Sequence, residues 1–123
     1  MSRLNPKVHL EKKIQSLLAF YATGNFEEVI LKTKPLIKKY PNIIDLYNLL
    51  ALSYNGYGDP EKGIFILNEA KKIQPKNIHI LNNLGLIYSS MNNFQLANEH
   101  LREALDKLQL SDAALKYEPE TSS

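Results

Sequence analysis

Apolar residues between positions 78 and 109 recur at the spacing of a helix rather than a strand. Leu81, Leu84, Gly85 and Tyr88 stand at i, i+3, i+4 and i+7, so they share one helical face, and Ala97, Leu101, Ala104, Leu105 and Leu108 do the same for a second helix. Asn92-Asn93 separates the two and predicts the turn of a helical hairpin. The pattern returns 34 residues earlier, where Tyr54 stands for Tyr88, Leu50 for Leu84, Ala70 for Ala104 and Gly58 for Asn92. A fixed period of this length predicts stacked helical hairpins.

The helical period extends back to the start of the chain. Asn5-Pro6 offers a cap followed by a first-turn proline, and Leu10, Ile14, Leu17, Leu18 and Tyr21 keep helical period up to Ala22. Thr23-Gly24 ends that helix, and Asn25 with Glu28 has the spacing of a capping box for the next. Pro35 falls inside this second helix; Leu36, Ile37 and Tyr40 continue its pattern, which predicts a bend rather than a break. Pro41 and Pro75 end the second helices of two copies, and Asn42 and Asn77 are placed to cap the next helix in each case. In the turn 56–61, Gly58 suits a left-handed conformation, Asp59 a cap and Pro60 the first helical position; its glycine spacing fits neither phosphate-loop motif.

These residues resemble the tetratricopeptide repeat. Its signature is met by Leu81, Leu84, Gly85, Tyr88, Ala97, Leu101 and Ala104, and in the middle copy by Tyr47, Leu50, Ala51, Tyr54, Leu67, Ala70 and Pro75. The resemblance implies an all-α fold, a right-handed solenoid of three helix-turn-helix repeats over 10–43 (degenerate), 44–77 and 78–111, after a lead-in over 1–9. In the first copy Lys13 and Ser16 replace the apolar Tyr47 and Leu50, as suits a polar amino-terminal cap. Leu115 begins a fourth repeat that Glu118 and Pro119 abort, leaving a short capping helix expected over 112–117 and a polar tail. The region from Phe20 to Ala51 also looks like the repeats that precede bacterial glycosyltransferase and sulfotransferase domains, which implies either a free-standing relative or a segment of something longer and no transferase activity within these 123 residues.

The family's first helices line a concave face that holds a peptide or a partner helix. Here that stripe is Ile14, Leu18 and Tyr21 in the first copy, Asp45, Asn48, Leu52 and Asn55 in the second, and His79, Asn82, Asn83, Leu86 and Ser89 in the third. An apolar floor of Ile14, Leu18, Leu52 and Leu86 flanked by asparagine amides suits a peptide backbone, since an amide donates and accepts together. A clamp for a terminal carboxylate would need several cations, and Ile14, Leu18, Leu49, His79 and Asn83 stand there instead. A second use, self-association or docking through the last hairpin, is suggested by Leu101, Leu105 and Leu108 having no complete repeat beyond them.

Composition narrows the remaining choices. The 123 residues suffice for a modest core in one domain, and a formal net charge of +2 with no regular base-reading pairs argues against helical-repeat RNA binding and against an anionic membrane surface. There is no cysteine, so neither a disulfide framework nor a thiolate metal site is available. His9, His79 and His100 are dispersed outside any hydrolase or zinc motif, and Glu99, His100 and Glu103 read as a solvated helix face; no enzyme and no cofactor is expected. Lys32, Lys38, Lys39, Lys71 and Lys72 fall on second helices and are expected on a solvated convex side. The amino terminus lacks the apolar run of a signal peptide, which makes a cytoplasmic location the default expectation.

Overall fold

The computed structural model describes residues 6–116, with side chains through Leu108. It is all-helical over that span: α1 (Pro6–Ala22), α2 (Phe26–Lys39), α3 (Ile44–Tyr57), α4 (Pro60–Ile73), α5 (Ile78–Ser90) and α6 (Phe94–Lys116). The helices pair as hairpins α1/α2, α3/α4 and α5/α6, stacked so that each hairpin leans on the next through α2 on α3 and α4 on α5. The first helices also approach one another, α1 on α3 and α3 on α5, whereas the backbones of α2, α4 and α6 stay apart. A stack closed on one side and splayed on the other is curved, and the closed side, formed by α1, α3 and α5, is concave.

The periodic residues do the packing expected of them. Tyr47, Ala51, Leu67, Ala70, Ile80, Leu84 and Ile87 form a core between the second and third hairpins. Leu17, Val29, Leu36, Leu46 and Leu49 form another between the first and second, and Ile30 with Leu50 and Tyr54 bridges α2 to α3. Leu67, Ile80, Leu81, Leu84 and Ile87 are wholly removed from water, each stabilising the fold by about 1.5–3 kcal/mol of transfer free energy. Small residues let the helices of a hairpin close up. A Cβ on Gly63 would stand 2.7 Å from the Ala51 carbonyl oxygen, so no larger residue fits at that crossing.

The turns keep the 34-residue period in their backbone angles. Gly24, Gly58 and Asn92 take positive φ at 81°, 105° and 62°, three equivalent positions that each reverse the chain after a first helix. Asn77 caps α5, its side-chain oxygen accepting from the His79 and Ile80 amides at 2.9 and 3.1 Å. Asn93 accepts from the Leu96 amide at 3.3 Å.

Other caps differ from the sequence reading. Asn25 makes no side-chain cap and donates instead to Thr23 Oγ1 at 3.2 Å, so the capping box with Glu28 does not form. Asp59 likewise caps nothing and pairs with Lys62 at 3.5 Å, while α3 starts after Ile43, leaving Asn42 outside the cap position. α2 runs unbroken across Pro35. In place of a separate capping helix, α6 continues without interruption to Lys116, because no glycine or proline stands between Phe94 and Lys116 to end it. The Asn5 cap and the tail beyond Lys116 lie outside the described residues.

Candidate functional site

The concave face is built from one side of α1, α3 and α5, each turned by the burial of its opposite stripe. Leu18 and Leu86 are each half exposed, and Leu52 lies half-buried between them in α3. Asp45, His79, Asn82 and Ser89 are exposed along the same side. Ile14 and Tyr21 depart from the expected open floor. Both turn toward the first core, where Leu17 and Leu49 lie, and the Tyr21 ring meets Phe26 edge-on with centroids 5.4 Å apart. Leu49 is itself buried, so it belongs to that core and not to the groove.

Three of the asparagines are committed to neighbours. Asn83 Nδ2 donates to Asn48 Oδ1 at 3.0 Å, tying α5 to α3, and among the described residues the other half of each amide has no partner, so the pair still offers a donor group and an acceptor group. Seven residues further along each helix, Ser90 Oγ lies 2.9 Å from Asn55 Oδ1 and 2.7 Å from the Ile87 carbonyl, with a single hydrogen to serve one or the other. Both rungs join residues 35 apart. Ser90 is absent from the stripe read from sequence, and the repeated interval from Asn48 to Asn83 and from Asn55 to position 90 is the signal that could have found it.

Elsewhere, Tyr47 donates its hydroxyl to the Pro41 carbonyl at 2.6 Å, fixing the link between first and second hairpins. Burial, with a lesser contribution from the Glu69 carboxylate, raises its pKa above the usual tyrosine value. His100 stacks on Tyr88 at 5.4 Å with Nδ1 2.9 Å from the Leu96 carbonyl, an arrangement that occupies the ring structurally. Among the described residues no three His, Asp or Glu side chains gather as metal ligands, and no helix is long and apolar enough to cross a membrane. Phe26 lies against Gly56, where an added Cβ would require its ring to shift, a packing reason for that glycine that involves no phosphate.

Comparison with known proteins adds three findings. A family model described as tetratricopeptide repeat matches residues 44–77 and 78–106. A solved structure, the MamA RS-1 ArsTM double mutant, superposes with a TM-score of 0.72 at 20% identity, covering 80% of this chain and 56% of its own, and so shares the fold. Elongation factor 4 of Prochlorococcus marinus (strain NATL1A) and of Synechococcus sp. (strain CC9605) are each 96% identical over 23 residues, 19% of this chain but 4% of the factor. A segment that short is well below the size that folds alone, and it transfers no activity. With both matched repeats in place and the helices stacked as hairpins, the chain belongs to the tetratricopeptide-repeat family, whose members are typically non-catalytic protein-interaction modules.

Proposed function

We propose that the chain is a non-catalytic scaffold that holds a peptide or helix of a partner protein along its concave face, with repeat units over 10–43, 44–77 and 78–111. The observation that carries this reading is the line of Leu18, Leu52 and Leu86 across the three first helices, beside exposed Asn82 and the half-used Asn48–Asn83 amides. An apolar floor contributes affinity, and amides that both donate and accept set the register of a bound backbone. Peptides selected from a random library on the folded chain test it. Their affinity is expected to fall at least tenfold with Leu52→Ala, Asn82→Ala and Leu86→Ala combined, with helicity unchanged. Binders that ignore those changes and respond only to Lys71→Ala and Lys72→Ala would place the site on the convex side.

A second reading rests on the last hairpin, where Leu101, Leu105 and Leu108 are 38%, 49% and 53% exposed along one side of α6. Such a stripe supports self-association or docking to another domain. Light scattering over a concentration series should then show a rising mass that Leu105→Glu with Leu108→Glu abolishes; a constant mass excludes self-association and leaves only docking.

A further inference from the structure

We propose that the outer groove between α1 and α2 docks an acidic amphipathic helix from another protein chain. The groove, about 660 Å³, has a floor of Leu17, Phe20 and Leu36. Leu31 is 63% exposed at its edge, and no described element covers it. It lies on the outer side of the first hairpin, away from the concave face.

The chain itself shows what shape fits. Adding 34 to Ser16, Phe20 and Lys32 gives Leu50, Tyr54 and Ile66, the surface of the second hairpin on which α2 lays Ile30 and Ile37. The equivalent face of the first hairpin is therefore shaped for a helix with branched apolar residues about two turns apart.

Its rim differs from that template in charge. Lys13, Lys32 and Lys39 stand where the second hairpin has Tyr47, Ile66 and Ile73; no described carboxylate lines the groove, and Glu27 and Glu28 stand beyond Leu31 in the adjoining hollow. The basic rim continues along α1 through His9 and Lys12. The ion pairs among the described residues, Asp59–Lys62, Glu69–Lys72 and Glu103–Lys107, leave these lysines out. Lys32 reaches over the Phe20 ring with its nitrogen 5.9 Å from the centroid, its stem along the apolar floor and its charge at the edge. An apolar floor beside Lys13, Lys32 and Lys39, none of which has a described carboxylate partner, selects a helix with acidic flanks, because like charges would be repelled and neutral flanks would leave the field uncompensated.

The test is a fluorescently labelled peptide of residues 26–39 carrying Lys32→Glu, Lys34→Glu, Lys38→Glu, Lys39→Glu and Pro35→Ala, titrated with the intact chain. Its partner probe carries Pro35→Ala alone and keeps the lysines. At low salt the acidic peptide is expected to bind at least tenfold tighter than the basic one, and the preference should collapse at about 1 M salt, where the Debye length is about 3 Å. Lys13→Glu with Lys32→Glu in the chain should abolish the preference; both residues are exposed, and an unchanged unfolding midpoint checks the fold. Leu86→Ala on the concave face should leave binding unaltered. Absence of binding, equal binding of the two peptides, indifference to the two lysines, or a loss caused by Leu86→Ala would each overturn the proposal.

Discussion

Where the helices of a hairpin cross, the second hairpin sets Ala51 against Gly63 and the third sets Gly85 against Ala97, whereas the first sets Leu17 against Val29. These are equivalent positions, each pair 34 residues from the last. Backbones approach closely only where side chains are small, and α1 and α2 accordingly run close together over much less of their length than α3 and α4 or α5 and α6. The looser hairpin still buries Leu17 and Val29, but no described element covers its outer side, which carries the groove lined by lysines. One substitution pattern thus separates hairpins that are closed by packing from one that leaves a surface to be filled.

The strongest way to break this comparison is to compare leucines. Leu84→Ala, wholly buried beneath the third hairpin, is expected to cost about 2–5 kcal/mol, whereas Leu31→Ala on the open edge of the first should change stability by less than about 0.5 kcal/mol. Urea unfolding of the two variants checks both values, and similar midpoints would contradict the packing of the two hairpins. Next in size is Gly63→Ala. With the Ala51 carbonyl 2.7 Å from the added carbon, α4 must shift, and a loss of about 1–3 kcal/mol is expected; a neutral result would show that small residues are not what closes the hairpin.

Gly58→Ala should cost about 1 kcal/mol, since φ of 105° is strained for any residue with a Cβ. Thermal unfolding reads it directly. The smallest effect concerns Tyr47 at the junction of first and second hairpins. Its raised pKa means that the native state holds the phenolic proton more tightly than the unfolded chain, so this contribution is full below about pH 10 and declines as pH rises beyond it. Absorbance titration of the phenolate, with Glu69→Gln bringing the pKa part of the way down, measures the shift; a Tyr47 that titrates at the ordinary value would remove the coupling.

Much of the fold was legible because helical period and the 34-residue interval are local properties. Leu81, Leu84 and Ala104 could be assigned to a buried stripe, and Gly24, Gly58 and Asn92 to equivalent turns, from spacing and residue type alone. Caps were less legible. Whether Asn25, Asn42 or Asp59 reaches a backbone amide depends on the angle at which the chain enters the helix, and in the structure Thr23 and Lys62 compete successfully for two of them. At the concave face the sequence reading treated Asn48, Asn55 and Asn83 as free amides, whereas each meets a polar side chain of the neighbouring helix.

The sequence by itself determined the all-helical architecture, the hairpin repeat and its turns, because periodicity, glycine and proline act within a few residues of where they stand. Tertiary structure alone decided which polar groups remain available. Asn83 and Asn48 each use half of their amide on the other, and Ser90 Oγ comes to Asn55 Oδ1, because stacking brings residues 35 apart within 3.0 Å, and Ile14 and Tyr21 turn inward because the second hairpin completes a core beside them. The groove between α1 and α2 likewise exists only because those two helices pack: its lysines are ordinary in the sequence, lie on different helices and become a rim only when folding brings Lys13 beside Lys32 and Lys39.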